Sequence, residues 1–303
     1  MKKVFFLSLA LSLIVRAHSQ TAWEYFNRGT ERAKQKDYKG ALANFNKAIE
    51  LDSKDERAYF NRGLAKSVLK DRKGAIADFT KAISLNPKNG NAYNFRGIAK
   101  SDTQDYKGAI ADFSKAIELD PKDGGTYYNR GQAKSAMKDY KGAVADFSKV
   151  IALNPMSEVG YYMRAQAKSD LKDFKGAIAD YGKAIELNPK AENAYTYRGI
   201  AKSGLKDYKG AIADYSKAIV LNPKSIDGYN NRGIDKANIQ DYSGAIADFS
   251  KVIGFNPKAE GAYLNRGLAK IHSGEKEGGC ADLKKAAELG SKPASDAVKQ
   301  YCQ

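Results

Sequence analysis

Glu56 to Asn89 reads ERAYFNRGLAKSVLKDRKGAIADFTKAISLNPKN, a unit of 34 residues with apolar residues at helical spacing in two stretches and a Pro near its end. With Glu56 counted as position 1, position 8 is Gly63, and a small residue recurs at that place along the chain. Gly29, Gly63, Gly97, Gly131, Ala165, Gly199, Gly233 and Gly267 are each 34 residues apart. A fixed period of this length marks a stack of supersecondary units, each burying its apolar face against its neighbours. The copies occupy 22–55, 56–89, 90–123, 124–157, 158–191, 192–225, 226–259 and 260–290, so eight tandem units cover residues 20–290.

Other positions keep the same register. Position 20 is Ala41, Ala75, Ala109, Ala143, Ala177, Ala211 and Ala245, position 27 is Ala or Val from Ala48 to Ala286, and Pro87, Pro121, Pro155, Pro189, Pro223 and Pro257 hold position 32. Small residues at 8, 20 and 27 with Pro at 32 resemble the tetratricopeptide repeat (TPR), in which two antiparallel helices pack through those small side chains. The resemblance implies an all-α, right-handed superhelical solenoid with about sixteen repeat helices. Tyr stands at position 4, from Tyr25 to Tyr263, where the family usually has Trp, which retains an aromatic filler.

A second departure puts Arg at position 7, where the family usually has Leu, from Arg28 to Arg266. Sixteen residues later comes Asp78, Asp112, Asp146, Asp180, Asp214, Asp248 or Asp282, with Asn44 in the first copy. If the helices turn near position 15, positions 7 and 23 are equidistant from the bend and face each other. Arg130 and Asp146 stand for this ladder, read as a structural ion pair rather than as chemistry.

Lys2 and Lys3 precede the apolar run Val4 to Val15, and Ala17-His18-Ser19 offers small residues where a signal peptidase cuts. Residues 1–19 are therefore expected to be a signal peptide, and the protein to be exported, periplasmic or secreted. A retained anchor is the other reading. Cys280 and Cys302 are the only cysteines. They lie equally far from a turn between the last repeat helix and a segment opened by Pro293, which predicts a disulfide and a capping helix over 291–303. Two free thiols are the alternative.

The net charge of +16 raises the question of nucleic acid, but the lysines lie in regular rows. Position 18 (Lys39, Lys73, Lys107, Lys141, Lys175, Lys209) and position 26 (Lys47 to Lys285) belong to the second helix and its entry turn. The resemblance places that helix on the convex side. These rows read as a solvated face or as a weak docking face for anionic lipid or polysaccharide of the cell envelope, with no nucleic acid expected. No glycine-rich phosphate loop, metal-spaced histidine pair or nucleophile elbow occurs, and His272 is the one histidine after the leader. No catalytic residue, metal or cofactor is assigned.

Positions 5, 6 and 9 of the first helix vary while the packing positions do not, and the resemblance assigns them to a concave groove. They supply Phe60, Leu64, Phe95, Ile98, Tyr128 and Tyr162 as apolar or aromatic anchors, and Asn61, Asn129, Asn231 and Asn265 as side-chain amides. An amide both donates and accepts, so it can pair with the backbone of an extended peptide. It can equally tie one helix to the next. The Lys at position 5 and Asn at position 9 with which related cochaperones clamp a C-terminal carboxylate are absent together from every copy. The expectation is a non-enzymatic scaffold that binds an extended segment of a partner protein.

Overall fold

A computed structural model describes residues 21–302, so the expected signal peptide at 1–19 lies outside the described residues. The chain divides into two compact units that meet after Leu153. In the first unit the helices are α1 (21–34), α2 (Tyr38–Leu51), α3 (Glu56–Val68), α4 (Arg72–Leu85), α5 (Gly90–Asp102), α6 (Tyr106–Leu119), α7 (Gly124–Ala136) and α8 (Tyr140–Leu153). The second holds α9 (Glu158–Asp170), α10 (Phe174–Leu187), α11 (Glu192–Gly204), α12 (Tyr208–Leu221), α13 (Ile226–Asn238), α14 (Tyr242–Phe255), α15 (Glu260–Ser273), α16 (Lys276–Glu288) and α17 (Lys292–Tyr301). No strand occurs among the described residues. Within each unit, consecutive helices pack as antiparallel pairs stacked on the next pair, an all-α helical-repeat solenoid.

The bend within each pair falls at position 15, as the ladder geometry requires. Lys36, Lys70, Gln104, Lys138, Lys172, Lys206 and Gln240 take left-handed backbone there with φ between 62 and 65°, and Gly274 does so in the last pair. The next residue caps the following helix: the carboxylates of Asp71, Asp105, Asp173 and Asp207 accept the N–H of the residue three places on. That satisfies one of the orphan donors of a helix start.

Small residues set the closeness of the pair. A Cβ added at Gly63, Gly97 or Gly131 would meet the ring of Phe79, Phe113 or Phe147 at 2.6 to 2.7 Å, so position 8 is held small by the aromatic at position 24. Ala75, Ala109, Ala143, Phe79 and Phe147 are wholly buried. Each core is thus a short stack of rings and alanines, repeated with the sequence.

A last helix and a disulfide lie at the C-terminal end of the second unit. Helix α17 packs on α16 and buries Ala294 and Ala297, and the sulfurs of Cys280 and Cys302 sit at bonding distance, 2.04 Å, with their Cα atoms 5.6 Å apart.

Candidate functional site

The ladder is a three-residue device rather than a pair. In the fourth repeat, Arg130 donates to both oxygens of Asp146 at 2.7 and 3.0 Å, and Lys134, one helical turn further on, reaches the same carboxylate at 2.7 Å. Arg130 also donates to the Ser114 hydroxyl of the preceding repeat at 3.0 Å and lies 5.6 Å from the centroid of Tyr127, a cation–π arrangement. The pattern holds from Arg62, Lys66 and Asp78 to Arg266, Lys270 and Asp282. Each of these aspartates is buried between two cations, which is scaffold chemistry. The position 11 lysine went unread in the sequence, although it recurs in every copy that has the position 23 aspartate. The first copy lacks the device, since Asn44 bonds the Gly40 carbonyl and Arg32 pairs with Asp37.

On the first-helix face, the varying residues line a series of shallow clefts. One, of about 300 Å³, is lined by Ile98, Ser101, Tyr106, Phe113, Asn129 and Gln132, so it spans α5, α6 and α7. A second, of about 280 Å³, lies between α13, α14 and α15, lined by Ile234, Asn238, Tyr242, Asn265, Leu268 and His272. The His272 ring stacks on Tyr242 at 5.6 Å and meets the edge of Tyr301 at 6.4 Å, which makes it a groove residue. A third, of about 230 Å³, is lined by Glu158, Tyr162, Ala191, Glu192, Asn193 and Ala194.

All ten predicted groove residues are partly exposed, and four of them line these clefts. Ile98 and Asn129 meet in the first cleft, Asn265 lines the second and Tyr162 the third. Phe60 and Phe95 pack together at 5.7 Å over Phe79, and Tyr128 lies 6.1 Å from Phe147. Leu64 lies one turn after Phe60 on α3, and Asn231 lies on α13. The amides are less free than the sequence suggests: Asn61 donates to the Arg57 carbonyl at 2.9 Å, and Asn129 donates to Asn94 of the preceding repeat at 3.2 Å. For Asn129 the tie between neighbouring helices is the observed arrangement.

One buried group lay outside the sequence reading. Asp235 stands at position 10, where Ala65, Ala99, Ala133, Ala167, Ala201 and Ala269 stand in other copies, and it is 1 % exposed. One oxygen accepts from the Ser203 hydroxyl at 2.8 Å and from Asn238 at 3.4 Å, while Oδ2 has no partner among the described residues. Burial pushes its pKa above the usual carboxylate range, against the lowering effect of those two hydrogen bonds.

The outer rows are uneven in charge. The position 18 lysines are exposed, whereas Lys47, Lys115, Lys183 and Lys285 at position 26 pair with glutamates three residues on. Among the described residues no group of three or more His, Cys, Asp or Glu is placed to hold a metal, and no helix is long and apolar enough to cross a membrane.

Two sequence models of the tetratricopeptide repeat match this register, one over residues 29–67, 99–138 and 205–234 and the other over 56–89, 125–155 and 160–191. The chain belongs to the tetratricopeptide repeat family. Solved TPR structures agree in fold. The C-terminal part of a TPR repeat-containing protein from Cytophaga hutchinsonii is 19% identical with a TM-score of 0.70, over 79% of this chain and 98% of that one. The protein MamA is 25% identical with a TM-score of 0.54, over 56% of this chain and 92% of its own. YrrB, a TPR protein with an unusual peptide-binding site, is 23% identical with a TM-score of 0.54, over 65% of this chain and 97% of its own. No curated protein sequence matches the chain.

Proposed function

We propose that this TPR protein is a non-enzymatic scaffold, exported to the periplasm or beyond, that holds an extended segment of a partner protein against its first-helix faces. The observation that carries the reading is the cleft between α5 and α7. Its floor, Phe113 and Ala133, lies at positions that are Phe, Tyr or Leu and mostly Ala in the copies, while its rim, Ile98 and Gln132, lies at position 9, which ranges over Thr, Leu, Ile and Gln. A mostly apolar floor with a rim that differs from copy to copy suits recognition of side chains along a strand of peptide. Phe60, Phe95, Tyr128 and Tyr162 supply the aromatic anchors typical of interface hot spots. The fold is one that carries a peptide-binding site in YrrB.

The Asn129 amide already gives one N–H to Asn94, and its second N–H and its carbonyl oxygen meet a peptide backbone only in exchange for water, with little net gain. Apolar and aromatic contacts therefore dominate affinity. The second reading, weak docking of the lysine rows on an anionic envelope surface, is favoured by the exposed position 18 lysines and weakened by the pairing of Lys47, Lys115, Lys183 and Lys285 in the position 26 row with glutamates. The partner recovered by affinity purification from the envelope fraction decides between them. Ile98→Ala with Tyr128→Ala should weaken its binding by more than about tenfold, because each buried apolar side chain contributes about 1.5 to 3 kcal/mol. Lys107→Ala with Lys141→Ala should leave it nearly unchanged. The reverse pattern would make the outer face the site.

A further inference from the structure

The third cleft differs in chemistry from the other two. It opens between the starts of α9 and α11, and its wall is the Tyr162 ring flanked by Glu158 of its own repeat and Glu192 of the next. The position 1 residues run Ala22, Glu56, Gly90, Gly124, Glu158, Glu192, Ile226 and Glu260, so this is the single step at which two successive copies both open with Glu. The corresponding step in the first unit has Glu56, Phe60, Gly90 and Asn91. The scaffold itself therefore needs neither the second carboxylate nor the phenol.

Among the described residues neither carboxylate here is met by a cation, unlike those of the ladder, and the starts of α9 and α11 supply only the partial positive charge of a helix N-terminus beside them. Each ladder aspartate is held between an Arg and a Lys, and the outer-row glutamates pair with lysines. Glu192 instead accepts only the Ser225 hydroxyl at 2.7 Å, and neither Glu158 nor Glu192 forms an ion pair among the described residues. Both carboxylates act on the phenol: burial first, then Tyr197, Glu158 and Glu192, pushes the Tyr162 pKa up to about 12.

The aromatic faces supply a second, independent attraction for a cation. Tyr162 meets Tyr181 at 5.6 Å and Tyr197 at 6.0 Å edge to face, which fixes its ring where it lines the cleft beside the carboxylates. The cleft, about 230 Å³, is below the usual range for a small-molecule site and suits one side chain. A chain of net charge +16 has no general affinity for cations, so an acidic cleft on its groove face marks a local preference.

We infer that the Glu158–Tyr162–Glu192 cleft is a subsite for a lysine or arginine side chain of the bound segment, so that the partner presents a basic residue to the second unit. The inference rests on the reading of the first-helix faces as a peptide site. In the bound state the cation bridges the two carboxylates while its stem lies along the Tyr162 ring. At the corresponding step of the first unit, Phe60 and Phe95 select an apolar side chain instead.

The test is selection of a phage-displayed library of linear peptides on the purified protein and on an E158Q/E192Q variant, with circular dichroism to confirm that both are folded. The expected result is enrichment of peptides carrying Lys or Arg on the unaltered protein, loss of that preference on the variant with apolar preferences retained, and at least tenfold weaker binding of an enriched basic peptide, since hydrogen bonds to charged groups exceed neutral ones. Enriched peptides without basic residues, or a basic preference that survives in E158Q/E192Q, would overturn this inference while leaving the peptide groove standing. Failure to enrich any peptide would overturn the groove reading and this subsite with it.

Discussion

Arg130→Leu isolates the energetics of the ladder, and Lys134 sets the magnitude. Asp146 has a side chain only 4% exposed and is held by Arg130 at 2.7 Å and by Lys134 at 2.7 Å. Breaking a buried ion pair outright costs about 3 to 5 kcal/mol, because the remaining charge is left alone in a poorly solvated site. Here Lys134 stays, so Arg130→Leu should cost only about 2 to 3 kcal/mol, the loss of its charged hydrogen bonds and of the tie to Ser114. Adding Lys134→Met strands the carboxylate, and the double variant should lose more than the sum of the two single losses, since both cations share one partner. Adding Asp146→Leu as a third change should recover much of the deficit. Urea unfolding followed by circular dichroism measures all four proteins. Strict additivity of the two cation losses, or a triple variant no more stable than the double, would refute the shared-carboxylate account.

Asp235→Ala, which restores the residue of the other copies, should raise stability by about 1 to 2 kcal/mol at neutral pH, because an unsatisfied buried polar group costs about 1 to 3 kcal/mol and the Ser203 hydroxyl loses an acceptor. With the folded pKa raised, the folded state holds the proton longer, so the variant's advantage should shrink as the pH falls through that raised pKa towards the ordinary carboxylate range; thermal melts across pH check this, and an advantage that grows on acidification contradicts it. Reducing Cys280–Cys302, which closes a loop of 22 residues, should destabilise the end of the second unit by about 3 kcal/mol on the chain-entropy estimate. Amide exchange should then quicken in α17 and α16 before the first unit changes, and unaltered exchange would count against a capping role. Lys138→Gly should stabilise by about 0.5 to 1 kcal/mol, since Lys138 holds a φ of 62° that glycine adopts without strain; a loss of stability would mean that the lysine side chain contributes there.

The repeat and its ladder were legible because successive near-copies average away local accident: a residue that recurs with the period is packing, whatever its type. The same averaging hid Lys134, which looked like one more lysine in a basic chain until its turn of helix placed it over Asp146. Variation is harder to read. Asn61 and Asn129 were legible as amides on a groove face, but their partners, the Arg57 carbonyl and Asn94, depend on rotamers and neighbour spacing that no periodicity encodes. Asp235 broke the alanine register in plain sight. Its depth, and the missing partner on Oδ2, required the packed structure. Glu158 and Glu192 read as helix-start acids one repeat apart, and only the stacking of α9 and α11 turns them to a common cleft with Tyr162.

Site-specific photo-crosslinking in intact cells tests the central claim most directly. A photoreactive amino acid placed at Gln132, on the rim of the α5–α7 cleft, is compared with one at Lys141, on the exposed outer row. The account predicts one discrete protein adduct from Gln132, lost when Ile98 and Tyr128 are changed to Ala, and none from Lys141. An adduct from Lys141 alone, or lipid adducts there with none at Gln132, would contradict it.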